Sequence, residues 1–240
     1  MNQQTKKPIG VIGSGNMGRA LGVRLAKLGY PVFFGARRLE QAEAAAARAG
    51  AQPESQARAQ AGSVDAAAAF GELLIWTMRE TDPAKVLADP ALLNGKTVID
   101  LNNRNFADDV RGGAWFEASI AGALQVNAPE ARVVKAFNTL AMTVFDTDPA
   151  ALAAAGAQTF LAGADPDAKA ETAGLAEAMG LGAVDLGDGE AAFRAAEALG
   201  DVVRLLILDQ GHGGQAHLGF SLLPEPDLGE IGGYEASSYR

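Results

Sequence analysis

A doubly wound α/β fold around a parallel sheet is predicted for this 240-residue chain by two observations. Short apolar runs alternate with helix-like stretches from residue 9 to residue 136 and are read as six strands with intervening helices, which is the order of strand–helix–strand units. The first run, Ile9-Gly10-Val11-Ile12, passes directly into Gly13-Ser14-Gly15-Asn16-Met17-Gly18 and then into a helix-like stretch over 19–28. A G-x-G-x-x-G turn between a strand and a helix is the opening unit of a Rossmann-type sheet.

The remaining elements follow in order. Pro31-Val32-Phe33-Phe34-Gly35 reads as a short buried second strand and 39–49 as a helix. Residues 54–62 are ambiguous between a loop and a short edge strand. A helix over 64–70 leads to the apolar strand Leu73-Leu74-Ile75-Trp76-Thr77. Asp82-Pro83 pairs an N-cap with proline at the first helical position and predicts a helix to Leu87. A strand over 97–101, a helix near 115–124 and a strand over 132–136 complete the sheet. From about Leu140 the character changes. Asp148-Pro149 and Asp165-Pro166 start two more helices, short strands are expected at 159–162 and 183–186, and a long apolar helix covers 191–208. We therefore expect residues 1–140 to form a nucleotide-binding domain and 141–240 a small lobe closing over its cleft. The tail, from about 224, is rich in Pro, Gly and Ser and is expected to be loosely held. By the switch-point rule the cleft lies between the glycine turn and the loop carrying Thr77 and Met78.

Composition narrows the function classes. No stretch approaches 18 uninterrupted apolar residues, so a membrane span is not expected. The absence of cysteine removes disulfides, thiol catalysis and sulfur-ligated metals, and fits a cytoplasmic protein. A formal net charge of −9 argues against a nucleic-acid partner, which would need clustered Lys and Arg. The partner expected is a small-molecule electron acceptor or donor, with a homodimer left open.

The glycine turn carries the first chemical assignment. Gly13 permits the tight turn, Gly15 lets the backbone approach a pyrophosphate, and Gly18 lets the helix pack close on the strand. Free N–H groups at the helix start then face a doubly charged anion, so Gly13, Ser14, Gly15, Asn16, Met17 and Gly18 are assigned to cofactor binding. The end of the second strand distinguishes the dinucleotides. An acid there would accept from the 2′-hydroxyl of NAD; this chain has Ala36-Arg37-Arg38. Arg37 and Arg38 can bind a 2′-phosphate bidentately, the alternative being that they solvate a helix start. Glu40, the nearest acid, falls within the next helix. The reading is NADP(H).

These motifs, with Val98-Ile99-Asp100-Leu101-Asn102-Asn103 and Val133-Val134-Lys135-Ala136-Phe137-Asn138-Thr139, occur in an order and spacing that resembles the coenzyme F420-dependent NADP oxidoreductases. The resemblance covers about 9–140 well and 157–223 loosely. It implies hydride transfer between nicotinamide and a deazaflavin, which is positioning more than acid–base chemistry. It also implies that Asn138 and Thr139 sit at the reacting centre, beside the nicotinamide and a second substrate such as coenzyme F420 or a flavin. The chain departs from the family in three places. Asn138 stands where the family often has histidine, and Met78-Arg79-Glu80 replaces a proline-containing turn. Asp188-Gly189-Glu190 also brings two acids that are expected to oppose the phosphate and glutamate charges of F420.

Weaker signals have bland and sharp readings. His212 and His217, near Glu225 and Asp227, lack the i, i+4 spacing of a helical metal site, and no metal is expected. His212 to Phe220 is expected to cover the acceptor site. Trp76, Phe137 and Trp115 could wall a planar ring, though buried aromatics in a sheet core are the default. Asp100 is expected to cap a loop, and Arg194 either anchors an anionic substrate or lies on the surface. Two other functions stay open: reduction of an imine or carbonyl, which needs a proton donor, and a non-catalytic NADPH-binding sensor.

Overall fold

The computed structural model describes residues 6–50, 59–113 and 118–222. Six parallel strands form one sheet: β1 (Ile9–Ile12), β2 (Val32–Gly35), β3 (Ala59–Gly62), β4 (Leu73–Trp76), β5 (Thr97–Asp100) and β6 (Arg132–Lys135), in the order β3-β2-β1-β4-β5-β6. The order reverses between β1 and β4, so the carboxyl ends of these two strands open a crevice. The expected Rossmann-type α/β architecture is the one observed. The ambiguous stretch does hold an edge strand, β3, paired with β2 from Val32↔Ala59 to Gly35↔Gly62; residues 54–58 lie outside the described residues.

Successive side chains of a strand point to opposite faces, and both faces of this sheet are covered, so the strands β1, β4 and β5 are buried at every position. Ile9, Val11, Phe34, Ile75, Ile99 and Val134 pack in one core with α1 (Asn16–Lys27) and α2 (Leu39–Ala49). Ile12, Leu74, Trp76, Val98 and Val133 pack in the other with α3 (Val64–Phe70) and α4 (Ile120–Asn127). The helices start where their caps dictate. The Ser63 and Ser119 side chains accept from Ala66 N and Gly122 N. Asp82 caps only a 3₁₀ turn, Pro83–Lys85, and a second such turn follows at Pro90–Leu93 behind Asp89. The predicted helix to Leu87 is thus two residues shorter, and Asp89-Pro90 starts a separate turn after it. α4 begins at Ile120 rather than near 115; residues 114–117 lie outside the described residues.

Beyond β6, Asp148 and Asp165 cap α5 (Pro149–Ala154) and α6 (Pro166–Ala178), as their Asp-Pro pairs predict. β7 (Gln158–Leu161) and β8 (Gly182–Asp185) pair in parallel, one residue earlier than expected at each end. An antiparallel bridge between Lys135 and Ala162 joins this pair to the edge of β6, with Lys135 N donating to Ala162 O at 2.8 Å and Ala162 N to Lys135 O at 3.1 Å. The long helix α7 (Gly189–Leu208) returns across the second face, where Ala192, Phe193 and Ala196 enter the core with α4. No described helix is long and apolar enough to cross a membrane.

Candidate functional site

The glycine turn is built as its sequence requires. Gly13 has φ +105°, a conformation that glycine adopts freely, and a Cβ there would lie 2.5 Å from Thr77 Oγ1. Two hydroxyls fasten the turn to its neighbours: Ser14 Oγ donates to Gly35 O (3.0 Å), and Thr77 Oγ1 donates to Gly13 O (2.7 Å) with Ile12 O at 3.1 Å. A Cβ on Gly18 would stand 2.0 Å from Gly13 O, so only glycine allows α1 to pack this close. Gly15 is different. A Cβ there meets nothing within 4 Å, and no side chain caps α1. The helix therefore presents its first-turn N–H groups to open space at the position a pyrophosphate requires.

A groove extends from this turn in both directions. On one side a cavity of about 570 Å³ is lined by Gly13, Ser14, Gly15, Ala36, Arg37, Arg38, Thr77 and Met78. Arg37 and Arg38 are exposed at its rim, and Glu40, also exposed, does not line it. On the other side a cavity of about 470 Å³ shares Gly15 and Thr77. It takes in Asn16, Met17, Asn102, Asn103, Asn138 and Thr139, and α7 closes it with Val203, Arg204 and Ile207. Among the described residues no aspartate or glutamate lines either cavity. All the sequence-assigned cofactor and reacting-centre residues lie along this groove except Gly18, which stands beneath the turn.

The turn after β6 is strained in a way that sets the site. Phe137 has φ +59°, the left-handed region that a bulky side chain seldom occupies. Its N–H donates to Thr159 Oγ1 of β7 (2.8 Å) and its buried ring packs edge-on to Phe145 at 6.4 Å. The following residues then face the groove. Asn138 Nδ2 donates to Asn103 Oδ1 (2.9 Å) and to Ala196 O of α7 (2.8 Å), while Asn103 Nδ2 donates to Asn138 O (2.7 Å). Both amide hydrogens of Asn138 are thereby committed to the protein. Its Oδ1, and Thr139 Oγ1, are buried without a partner. Buried polar atoms are rarely left unpaired, so a hydrogen-bonding ligand fits here. For Asn138 that ligand must be a donor.

Beneath this floor lies a buried charge cluster that the sequence reading missed. Lys135 Nζ donates to Asp100 Oδ2 (2.7 Å), to Asn102 O and to Glu197 Oε1 of α7 (3.0 Å), and all three charged side chains are fully buried. Glu197 Oε1 also accepts from Ile120 N (2.9 Å) and Ala121 N (3.2 Å). Burial pushes the Glu197 carboxyl above its ordinary value; the Lys135 ammonium opposes that rise and Asp100 adds to it. Asp100 caps its loop as expected, accepting from Asn102 N at 3.2 Å, but is also a partner of Lys135. The missed signal was a lysine within the apolar run Val133-Val134-Lys135-Ala136, at the end of β6.

Several weaker expectations change. Trp76 and Phe137 are fully buried and line neither cavity, so they are core residues; Trp115 lies outside the described residues. Glu190 does not line the cavity beside Asn138 and Thr139. Its oxygens accept from Ser119 N and Ser119 Oγ (2.6 Å each) and from Arg194 Nε (2.7 Å), which caps α4 and occupies Arg194 as well. Neither Asp188 nor Glu190 lines the cavity beside Asn138 and Thr139. None of residues 209–222 lines the cavity beside Asn138 and Thr139; that segment folds back instead, Thr143 Oγ1 donating to Gly214 O (2.6 Å) and Phe220 N to Gln158 Oε1 (2.6 Å). His212 is exposed, and no group of three potential metal ligands occurs among the described residues. Glu225 and Asp227 lie outside them.

Comparison with known proteins places this geometry. Residues 8–104 match the family model described as NADP oxidoreductase, coenzyme F420-dependent. The structure is similar to that of a protein from Arthrobacter sp. FB24 that carries the provisional name F420-dependent NADP-reductase, with a TM-score of 0.69 and 27% identity over 90% of this chain and 99% of that one. A hypothetical protein from Sinorhizobium meliloti is similar over 78% of this chain and 87% of its own (TM-score 0.60, 26% identity). An imine reductase from Aspergillus terreus, solved with NADPH4 and dibenz[c,e]azepine, shares the fold at TM-score 0.56 and 22% identity, and the chain spans 64% of its length. The resemblance read from the glycine turn and the strand-end motifs holds, the family match covering residues 8–104. The matched family and the similar reductases are nicotinamide-dependent oxidoreductases.

Proposed function

We propose that this chain is an NADP(H)-dependent oxidoreductase that transfers a hydride between nicotinamide and a small electron carrier of the F420 or flavin class. One observation supports this above all: a single groove joins Arg37 and Arg38, the uncapped start of α1 at Gly15, and the unpartnered Asn138 Oδ1 and Thr139 Oγ1. Arg37 and Arg38 would hold a 2′-phosphate and the N–H groups after Gly15 a pyrophosphate. A dinucleotide held there would supply or accept the hydride. Asn138 accepts from an N–H of the carboxamide or of the carrier ring, and Thr139 offers a hydroxyl beside it. α7 excludes water from the far wall with Val203 and Ile207.

In this reading residues 1–140 bind the nucleotide, and the later part of the chain contributes α7 as the wall of the acceptor cavity. The imine or carbonyl reductase alternative needs a proton donor at the reacting centre. No Asp, Glu, His, Tyr or Lys lines the acceptor cavity among the described residues, which favours the electron carrier. Following NADPH oxidation at 340 nm against F420, flavins, ferric chelates and cyclic imines tests the choice. Turnover confined to imines would overturn it, and the absence of turnover with any acceptor would leave a binding module.

A further inference from the structure

The acceptor cavity contains two arginines that the hydride-transfer reading does not use. Arg79 lies on the loop after β4 and Arg204 on α7, and both line the cavity that also holds Asn138 and Thr139. Their neighbours are already neutralised. Arg104 donates through Nε and NH2 to Asp201 Oδ2 (3.1 and 2.7 Å), and Arg111 pairs with Asp209. Arg79 makes no ion pair or hydrogen bond among the described residues. Arg204 NH1 donates to Arg104 O (2.6 Å), and the acid nearest it is Asp201, whose Oδ1 lies 3.9 Å away on the carboxylate that Arg104 holds.

The surroundings of Arg204 are built to present a charge. Its guanidinium stacks over the Phe106 ring at 5.0 Å, which fixes its direction. Burial and then repulsion from Arg79 and Arg104 lower its pKa from the ordinary value, against the pull of Asp201 and Asp109. Two cations thus share a cavity with no acid in its lining among the described residues, in a chain of formal net charge −9. A cleft of one sign with low-dielectric walls concentrates counter-ions of the other.

Resting on the electron-carrier reading above, we propose that the carrier is anionic and that Arg204 and Arg79 select it, binding a phosphate or carboxylate on its side chain while its ring lies against Asn138 and Thr139. The two arginines are specificity-determining, and the charged group contributes affinity rather than chemistry. Their sequence signal was slight: an arginine interrupting the apolar run Val202-Val203-Arg204-Leu205-Leu206, and one in the Met78-Arg79-Glu80 turn.

The test compares rings that differ only in charge. Dissociation constants are measured by fluorescence titration of NADP⁺-loaded protein with FMN, riboflavin, and an isoalloxazine carrying a carboxylate on its N10 chain. Charge-assisted hydrogen bonds predict that wild type binds FMN about tenfold or more tighter than riboflavin, and that Arg204→Gln or Arg79→Gln reduces the ratio to about twofold. Arg204→Lys, which keeps the charge, should retain most of the ratio even if the glutamine variant folds poorly. Affinity of the carboxylate analogue matching that of FMN would show recognition of charge alone, and weaker binding would show recognition of phosphate. Equal binding of FMN and riboflavin to wild type, no binding of either, or a ratio that survives both substitutions would overturn the proposal. So would an equal loss of NADPH affinity in the variants, since the arginines would then serve the nucleotide. NADPH oxidation with riboflavin and FMN at equal KM would overturn this inference and leave the electron-carrier reading standing. A binding preference without turnover of any carrier would do the reverse.

Discussion

Lys135 Nζ lies 3.0 Å from Glu197 Oε1, and neither side chain reaches solvent. This contact joins the last strand of the sheet to α7, the helix that walls the acceptor cavity. Three further contacts follow the same seam: Asn138 to Ala196 O, Arg104 to Asp201, and the close approach of Gly200, where a Cβ would stand 2.3 Å from Asn103 Oδ1. The helix is therefore registered over the groove by polar contacts at fixed positions, which an apolar interface alone would not specify.

Removing the lysine should be costly. Lys135→Met leaves Asp100 and Glu197 buried and uncompensated, and breaking a buried ion pair from one side costs about 3–5 kcal/mol. Urea denaturation should show a loss of that size. A loss under about 1 kcal/mol, the range of an exposed pair, would mean that the cluster is hydrated.

The same cluster predicts a pH dependence. Burial raises the Glu197 pKa above its ordinary value of 4.5, so the folded protein binds a proton more tightly than the unfolded chain. Stability from this group is fully present below the ordinary value and is lost as pH rises through the raised one. Glu197→Gln cannot ionise, and its unfolding free energy should fall less than that of wild type between pH 4.5 and neutrality. Parallel curves in urea titrations across that range would show that Glu197 does not titrate there.

The glycines of the turn should separate binding from folding. Gly15→Val places its side chain in open space and should abolish NADPH binding by calorimetry with little change in melting temperature. Gly18→Val drives a side chain into Gly13 O and should lower the melting temperature itself, since the turn and the helix cannot both keep their places. Normal NADPH affinity in Gly15→Val would show that the pyrophosphate lies elsewhere.

Arg37 and Arg38 should set the preference for NADPH over NADH. Charge-assisted contacts are worth about 1.5–3 kcal/mol each, so Arg37→Ala with Arg38→Ala should remove most of the discrimination while NADH affinity changes little. Equal affinity of the wild type for the two nucleotides would remove the basis for assigning NADP(H).

What was legible in the sequence was local. The glycine turn, the Asp-Pro caps and the apolar strands depend on a few adjacent residues, and 39–49 and 64–70 emerge as helices with those same bounds. What was not legible depends on partners distant in the chain. Asp100, Lys135 and Glu197 are unremarkable singly and become a cluster only when β5, β6 and α7 meet. Glu190 read as an acid opposing an anion because its partner, Ser119, lies on a different element. The place of His212 to Phe220 was misjudged for the same reason: Gln158 and Thr143 hold that segment away from the cavity it was expected to cover.

Asn138 gives the sharpest test of the reacting centre. A free asparagine offers both a donor and an acceptor, but here Nδ2 is held by Asn103 Oδ1 and Ala196 O, so only Oδ1 remains for a ligand. Asn138→Leu removes that acceptor and should lower kcat with a good carrier by about tenfold or more, the effect of losing roughly one hydrogen bond from the transition state. NADPH binding should weaken by no more than about threefold, because the proposed nucleotide contacts lie mostly at the glycine turn and the arginines. Asn138→Asp keeps the acceptor but sets a second carboxylate oxygen against Asn103 Oδ1 and Ala196 O. It should therefore lose both hydrogen bonds to the protein and about 2 kcal/mol of stability. A stable Asn138→Asp variant, together with undiminished kcat in Asn138→Leu, would show that the amide faces neither α7 nor the reacting rings.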